Sequence, residues 1–509
     1  MDDAAAWKPG DNVLINAQTG TGKSYFCKNT LYELARREHC KILMLIHRTN
    51  CVEQFKYEIQ RDGKGDVIKV LTYQSLEYRQ INQQYQIDLA EYRYIISDEF
   101  HYFFNDSSFN NRTAVSFEMI MNNTESIHVF MSATGTHMFY YMRKYLNDHQ
   151  MPEAIKYEVP YDFSFINNLT FFHNDNTMRK YLDQWIESGE KAIFFIQSAQ
   201  KAYSLFAEYR DFSTFCCSTT NEKYKKKVDE KEIRKILINE KFDKQFLITT
   251  ACFDSGINIV DRDVKHIVVD MVDMCSLIQC IGRKRIQDDD DKVNVYIKAI
   301  SNQRLGGIQC KMKKMVEMAE YFMKNDYSVE KLIAQYPMQN DVNNIIYDSL
   351  VYDEYGNVVK DAYQKKINEV MYFKKKLDIS TYARMLKFLG DYSYCKELAK
   401  YFGFFDEVDG RYFYKVEGEA DELEEYLCSL VDDKVVFLTV KDRAELIKKI
   451  SAKQNGKLLR KAATLNSVLD ERDLDYRIKE FETMRQYTSE DHVIHKKKYK
   501  HAWKIVRFQ

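Results

Sequence analysis

The chain has 509 residues, of which 45% are hydrophobic and 30% charged, and its formal net charge is −1. This length predicts about three globular domains, and the composition excludes a disordered or collagen-like protein. No apolar run approaches the roughly 18 residues that a spanning helix needs, so no membrane partner is expected. Because the net charge is near zero, any surface for a nucleic acid must be local.

The cysteines and the N-terminus predict the compartment. The 11 cysteines include no C-x-x-C pair and no metal-ligand cluster, which indicates reduced thiols. Residues 1–9 lack the basic region and apolar core of a signal peptide. We therefore expect a cytoplasmic protein without a targeting signal.

A phosphate-binding loop is predicted at residues 17–24, Ala-Gln-Thr-Gly-Thr-Gly-Lys-Ser. The loop lies between an apolar run of strand character, 12–16, and a segment with helical spacing, 25–35, which is the context that such a loop requires. Lys23 would reach the β- and γ-phosphates of ATP, and the Ser24 hydroxyl would ligate Mg²⁺. Ala17 departs from the usual glycine. The predicted nucleotide-binding residues are Gln18, Thr19, Gly20, Thr21, Gly22, Lys23 and Ser24.

Further apolar runs at 41–46, 67–72, 94–97 and 127–131 alternate with helical segments and predict an open parallel sheet. Asp98 and Glu99 end the third of these runs. One carboxylate there can hold Mg²⁺ and its neighbour can activate the attacking water. Asp98 is therefore the second predicted metal ligand and Glu99 the predicted base. The alternative, a solvated acidic loop, is disfavoured by the apolar strand before the pair.

These motifs resemble those of the superfamily-two helicases, specifically the DExH-box branch. Residues 98–101 are similar to its D-E-x-H box and residues 17–24 to its first motif, while 132–134 resemble the S-A-T motif that couples ATP state to strand handling. The resemblance implies coupling roles for Ser132 and Thr134, and nucleic-acid contacts from Arg48, Thr72 and Gln74. Taken alone, 132–134 would equally be an ordinary strand-end turn. No adenine-reading glutamine motif precedes the loop, so nucleobase selectivity stays open.

Residues 163–299 repeat the α/β alternation without a phosphate loop, and this unit is expected to close over the nucleotide. Within it, 250–259 and 279–285 resemble two further motifs of the family, the second being the Q-x-x-G-R arginine-finger motif. The resemblance implies arginine fingers at Arg283 and Arg285, while a basic surface helix end is the alternative. It also implies nucleotide contacts from Gly256, Asn258 and Gln279, and nucleic-acid contacts from Ser198 and Thr250. The acidic run 288–291 is predicted to be an exposed loop.

After residue 301 the alternation ends. Helices are predicted at 311–323, 363–376 and 444–450, with a hairpin at 350–359. The last residues, 496–508, combine basic side chains with Tyr499 and Trp503, a composition compatible with nucleic-acid contact. A terminal helix that buries Trp503 and Ile505 is the favoured alternative.

The predicted fold class is α/β, with two tandem RecA-like parallel-sheet domains at 1–160 and 161–302 and an α-rich accessory domain at 303–509. The resemblance implies an ATP hydrolase that is stimulated by nucleic acid, translocates on a strand and unwinds duplex. The expected partner is single-stranded DNA or a tailed duplex, with replication proteins as further partners. Two alternatives stay open: a duplex translocase without unwinding, and a nucleotide-gated origin-binding protein. The G-R-x-R spacing resembles viral origin-binding-type helicases and suggests a bacterial or phage-infected cell.

Overall fold

The computed structural model describes residues 2–18, 21–47, 49–81, 87–105, 113–133, 135–218, 221–250, 258–337, 345–352, 358–417, 422–454, 457–471, 474, 476–488 and 494–507. They form two compact units. The first comprises Met1–Asn168, Glu190–Val295 and Met312–Arg384, and the second comprises Leu169–Gly189, Tyr296–Lys311 and Met385–Gln509.

A six-stranded parallel sheet forms from the apolar runs of the first 160 residues. Its strands are β1 (Asn12–Asn16), β2 (Lys41–Ile46), β3 (Ile68–Thr72), β4 (Tyr92–Ser97), β5 (Ile127–Ser132) and β6 (Ile155–Glu158). They lie in the order β3-β2-β4-β5-β1-β6, and all pairings are parallel. Because parallel strands end at one edge of the sheet, the residues that follow β1, β4 and β5 lie close together.

Both faces of this sheet are covered, which explains why its strands are nearly continuous apolar runs. Successive side chains of a strand point to opposite faces. Accordingly, Leu14 and Leu43 belong to one buried cluster, whereas Val13 and Ile42 belong to a second cluster on the other face. The helical segments of this part are Asp2–Ala5, Lys23–Tyr25, a π-helical turn Phe26–Leu31, Tyr32–Arg37, Thr49–Arg61, Tyr73–Ile81, a 3₁₀ turn Leu89–Glu91, Tyr102–Asn105, Thr113–Met121 and Thr136–Asp148.

A second sheet has seven strands, of which six are β7 (Ile166–Phe172), β8 (Lys191–Ile196), β9 (Ser213–Cys216), β10 (Phe246–Thr249), β11 (Val264–Asp270) and β12 (Val293–Lys298). The seventh, Lys415–Glu417, precedes them in the order β7-β12-β11-β8-β10-β9. The central pairings are parallel. The helices here are Asp175–Ser188, Ala199–Glu208, Glu222–Lys225, Glu230–Asn239 and Met274–Ile281. The predicted tandem of RecA-like parallel-sheet domains is confirmed.

The remaining residues are rich in helix, as predicted. Their helices are Asn302–Lys324, Val329–Gln335, Glu369–Phe388, Ser393–Tyr401, Glu422–Asp432, Ala444–Ile450 and Ala462–Glu471. Their strands are β13 (Ile346–Tyr352), β14 (Val358–Ile367), β15 (Phe405–Asp406), β16 (Arg411–Tyr412), β17 (Lys415–Glu417), β18 (Val436–Phe437), β19 (Lys453–Gln454), β20 (Lys457–Leu458), β21 (Tyr476–Thr488) and β22 (Ile494–Arg507). None of the helices in the described ranges has the length and apolarity to cross a bilayer.

Two local predictions in this region were wrong. Residues 363–367 belong to β14, which pairs antiparallel with β13, so the helix that follows begins only at Glu369. The terminal segment is the strand β22, not a helix. Its Trp503 and Ile505 are nevertheless buried, as expected, in a core of the second unit. Their spacing of two is the strand period, and pairing with β21 satisfies the backbone.

Candidate functional site

The phosphate-binding loop follows β1, whose end is joined to β5 by a hydrogen bond from the Ala17 N–H to the Ser132 carbonyl at 3.1 Å. Gly22 has φ +91°, a left-handed conformation that side chains rarely adopt, and the helix begins at the next residue. Lys23 Nζ donates to the carbonyl oxygens of Ala17 at 2.5 Å and Gln18 at 2.9 Å. Its ammonium group therefore lies across the loop at the N-terminus of a helix, where a phosphate would bind. Burial lowers the pKa of Lys23, although Glu99 and Asp98 oppose this shift.

Other loop residues are less constrained. The exposed Thr21 donates its hydroxyl to the Gln18 carbonyl at 2.7 Å, and Ser24 is half-buried. The Gln18 side chain makes a two-bond pair with the backbone of Asp162: its Nε2 donates to the Asp162 carbonyl at 3.0 Å, and its Oε1 accepts from the Asp162 N–H at 2.9 Å. This pair fixes the loop to the segment that follows β6. Thr19 and Gly20 lie outside the described residues.

A cavity of about 260 Å³ lies beside Gln18. Asp162 and Phe165 line it from the segment between β6 and β7, and Gly282 and Arg285 line it from the region after the helix Met274–Ile281. The cavity is therefore lined by residues of both predicted nucleotide-binding halves.

Asp98 and Glu99 follow β4 at the same edge of the sheet. Asp98 is buried, and its Oδ1 accepts a hydrogen bond from the Glu99 N–H at 3.0 Å. Burial and the neighbouring Glu99 carboxylate raise the pKa of Asp98 to about 7. Burial also disfavours the charged form of Glu99, but the electrostatic influence of His101, Lys23 and Arg283 outweighs it and lowers the pKa of Glu99. The two adjacent carboxyls thus have opposite shifts, which is typical of a site with divided roles.

Glu99 has φ +49°, in the left-handed region. A non-glycine residue held there costs on the order of 1–3 kcal/mol and persists only where its surroundings enforce it. Such strain is concentrated at functional sites, and no sequence pattern predicted it.

The residues present fit a magnesium ion. Mg²⁺ prefers hard oxygen ligands, keeps several waters and is usually bound by one or two protein oxygens together with phosphates. Asp98 supplies a buried carboxylate and Ser24 a hydroxyl on the helix that begins at the loop. Among the described residues no cluster of three His, Cys, Asp or Glu side chains could form an all-protein metal site, so a nucleotide-linked ion agrees with this donor set.

The predicted arginine fingers lie at the same place. Arg283 is 3% exposed, and its Nη2 lies 3.7 Å from Glu99 Oε1. Within the described part of the chain, Arg283 Nε and Nη2 have no hydrogen-bond acceptor. Leaving charged donors unsatisfied in a buried position is costly, which indicates that this guanidinium awaits an anionic acceptor. Arg285 Nε donates to Asn258 Oδ1 at 2.8 Å, and burial together with Arg283 lowers the pKa of Arg285 to about 10.

His101 connects three motifs. Its Nδ1 lies 2.9 Å from Ser132 Oγ at the end of β5, and its Nε2 lies 2.5 Å from Gln279 Nε2 on the helix Met274–Ile281. All three side chains are buried. Because Arg283 lies four residues after Gln279, just beyond the end of this helix, the position of the arginine is linked to His101, and through His101 to Ser132.

The residues predicted to contact nucleic acid are placed differently. Thr72 uses its hydroxyl at the start of the helix Tyr73–Ile81, where it accepts from the Ser75 N–H at 2.9 Å, and Gln74 is half-buried on that helix. Ser198 is exposed and caps the helix Ala199–Glu208. Thr250 is buried at the end of β10. Arg48, Thr134 and Gly256 lie outside the described residues.

Two ion pairs near the arginines, one buried and one partly buried, were missed by the sequence reasoning. Lys284 Nζ lies 2.5 Å from Asp291 Oδ2 with both side chains almost fully buried, so Asp291 is not part of an exposed loop as predicted. Lys374 Nζ lies 3.2 Å from Asp273 Oδ1, and Asp273 caps the helix that carries Gln279. A pairing across about 100 residues of sequence leaves no local pattern by which it could have been found.

The helix Glu369–Phe388 also contacts a helix that follows β5 of the first sheet. Its Asp378 lies 3.9 Å from His137 Nδ1 on the helix Thr136–Asp148. Burial lowers the pKa of His137 although Asp378 opposes this shift, and the Lys374–Asp273 attraction raises the pKa of Lys374 against its burial. This one helix therefore contacts elements that follow β5 and elements that carry the arginine motif.

One comparison with known proteins matches the first part of the chain. Residues 4–137 match the family described as "Type III restriction enzyme, res subunit". No curated protein matches the chain.

Three solved structures are similar at low identity. S. cerevisiae Dbp5 bound to RNA and ADP BeF3 is 15% identical, with 57% of this chain and 79% of that chain covered and a TM-score of 0.43. The DEAD-box helicase Mss116 bound to ssRNA and UDP-BeF is 12% identical, with 93% and 86% covered and a TM-score of 0.44. The Escherichia coli DEAH/RHA helicase HrpB is 13% identical, with 58% and 41% covered and a TM-score of 0.40.

Proposed function

We propose that the chain is a nucleic-acid-stimulated ATPase of the DExH-box type that translocates on a strand and unwinds duplex DNA. The observation that carries this proposal is the 3.7 Å approach of Arg283, from the second α/β half, to Glu99 at the end of β4. An arginine that completes a phosphate site from another domain makes hydrolysis depend on how the two halves are arranged. Such dependence is what a motor requires.

Each catalytic residue has a distinct role in this proposal. Lys23 binds the β- and γ-phosphates, and the loop N–H groups that begin with Gln18 wrap them. Glu99, whose pKa is lowered, is ionised and accepts a proton from the attacking water. Arg283 stabilises the charge that develops on the transferred phosphoryl group, and Arg285 supports it from the neighbouring position.

Ser24 and Asp98 would hold Mg²⁺, which when bound neutralises charge on the phosphates. The cavity beside Gln18 is our proposed position for the nucleoside, with Asn258 and Gln279 closing the site through Arg285 and His101. ATP is the proposed nucleotide because the phosphate machinery requires a triphosphate.

DNA is proposed because the matched family is described as a restriction-enzyme subunit. The proposed contacts for a single strand or tailed duplex are Thr72, Gln74, Ser198 and Thr250. Ser132 is the proposed coupling residue, since its contact with His101 links β5 to the helix Met274–Ile281, which carries Gln279. We also propose domain boundaries near 160 and 302, a location in the cytoplasm of a bacterial or phage-infected cell, and replication proteins as partners.

A strand-displacement assay tests the proposal. A tailed DNA duplex with a fluorophore and quencher should separate with ATP, and Lys23→Ala should abolish separation. ATP-dependent movement on duplex without separation would instead favour the duplex translocase. Slow hydrolysis that DNA leaves unchanged, with ATP-dependent DNA binding, would favour the nucleotide-gated origin-binding protein.

A further inference from the structure

The terminal hairpin extends beyond the core that anchors it. β21 and β22 pair antiparallel along their whole length. At the base, Tyr476, Ile478, Trp503 and Ile505 are buried in a core of the second unit, and β18 adds a third strand beside Trp503. That core includes no described residue between 483 and 500. We call 483–488 and 494–500 the ribbon arm; its strands of six and seven residues extend about 20 Å and about 24 Å at roughly 3.4 Å per residue.

The ribbon arm is basic. Arg485, Lys496, Lys497, Lys498 and Lys500 are all exposed. In sequence, residues 483–500 carry these five cations against two carboxylates, a local charge of +3 in a chain whose net charge is −1. Because the positive and negative charges of the whole chain nearly cancel, a polyanion partner can be indicated only by local positive charge of this kind.

The cationic side chains lie on both faces of the arm. Arg485 lies opposite Lys497, and Gln486 lies opposite Lys496. Because neighbouring residues of a strand point to opposite faces, Lys497 is on one face and Lys496 on the other. Like charges directly opposite each other destabilise a sheet, so the Arg485–Lys497 pair has an unfavourable position unless an anion neutralises it.

The described residues do little to neutralise these charges. Lys498 pairs with Glu482 at 2.6 Å, but within the described ranges no ion pair involves Arg485, Lys496 or Lys497. Tyr499 is half-buried on the Lys497 face, with the Lys497 ammonium 5.3 Å from its ring centre.

We propose that the ribbon arm binds a DNA duplex, with its two strands in the major groove and its cations on the flanking phosphates. A major groove about 12 Å wide admits a two-stranded ribbon, and a groove has phosphates on both sides, which suits an arm that is basic on both faces. The deep, narrow major groove of an RNA duplex does not admit it. Nucleic acid rather than another polyanion is chosen because this inference rests on the proposed function.

The test compares full-length variants without nucleotide by fluorescence anisotropy on a short DNA duplex, its single strand and the equivalent RNA duplex. Arg485→Ala/Lys497→Ala should weaken DNA-duplex binding tenfold or more at about 0.1 M salt and lower the slope of log affinity against log salt by about 1.8, since each phosphate contact contributes about 0.9. ATP hydrolysis without DNA should be unchanged. Arg485→Lys/Lys497→Arg should bind normally, as should the matched control Lys441→Ala/Lys448→Ala, which removes two exposed lysines of the same unit.

Unchanged duplex affinity and salt slope would overturn the proposal, as would an equal loss in the control. A loss confined to the single strand or to the RNA duplex would also overturn it. The outcome is separable from the proposed function. Strand displacement by a variant that binds duplex normally would refute the arm alone, whereas weakened duplex binding in a protein without DNA-stimulated hydrolysis would support the arm and refute the helicase.

Discussion

Replacing Arg283 by alanine is the sharpest perturbation of the proposed site. The guanidinium is 3% exposed, lies 3.7 Å from Glu99 and contributes to the lowered pKa of that carboxyl. At this separation, an effective dielectric constant of about 20 gives an attraction of about 4.5 kcal/mol between two unit charges. A γ-phosphate at the same distance would be held by an interaction of similar size.

This electrostatic magnitude agrees with the kinetic effect expected of an arginine finger. A finger accelerates phosphoryl transfer by roughly 10³–10⁵, which corresponds to about 4–7 kcal/mol of transition-state stabilisation at about 1.4 kcal/mol per decade. We therefore expect Arg283→Ala to lower the rate of ATP hydrolysis by a factor within this range. Arg283→Lys should recover only part of it, because a point charge lacks the planar fork of donors.

The assay is single-turnover hydrolysis of radiolabelled ATP, with nucleotide binding measured separately. Arg234→Ala is the matched control, since Arg234 belongs to the same α/β half and is exposed on the helix Glu230–Asn239. The control should hydrolyse ATP at the wild-type rate. If Arg283→Ala also hydrolysed ATP within about threefold of wild type, a loss of under 1 kcal/mol, the arginine would have no part in the chemistry.

Three further predictions concern the base and two buried groups. Glu99→Gln should slow hydrolysis by about 10²–10⁴ while ATP binding is retained; wild-type turnover would exclude Glu99 as the base. Lys374→Ala should lower the free energy of unfolding in urea by about 1–3 kcal/mol, less than a fully buried pair because Asp273 is 38% exposed, and unchanged stability would contradict the pairing. Burial lowers the pKa of His128 from 6.5 to about 4, so its neutral form stabilises the fold above pH 6.5 and this contribution is lost as the pH falls towards 4. At about pH 5 this contribution has fallen by about 2 kcal/mol. His128→Asn should therefore lose about 2 kcal/mol less unfolding free energy than the wild type between neutral solution and pH 5. An equal decrease in unfolding free energy in both proteins would argue against this role of His128.

The sheets were predictable because buried parallel strands leave a simple trace. β2 is apolar after Lys41 and β4 contains the apolar run 94–96, and the polar residues of chemical interest follow the ends of β4 and β1. Strand order then brings those ends together, so Lys23, Asp98 and Glu99 could be assigned to one site before any coordinates. Residues of motifs that are distant in sequence, such as Gln279, could be assigned to this site only through the family resemblance.

What the sequence did not reveal has physical reasons. The Lys374–Asp273 and Lys284–Asp291 pairs are tertiary contacts between charged residues that look like ordinary surface positions. The left-handed backbone of Glu99 is imposed by its surroundings. The strand β22 was mistaken for a helix because the lysines at 496, 497, 498 and 500 are exposed on both of its faces, and a segment without a fully buried face shows neither the helical nor the strand period.

Control of ATP hydrolysis by nucleic acid is tested most directly by the steady-state ATPase rate of the full chain with and without single-stranded DNA. Parallel samples with duplex DNA, single-stranded RNA and duplex RNA establish which polymer acts, and Lys23→Ala reports any contaminating activity. We expect a low basal rate, strong stimulation by single-stranded DNA and no hydrolysis above background in Lys23→Ala. A wild-type rate that is the same with every nucleic acid as with none would contradict it.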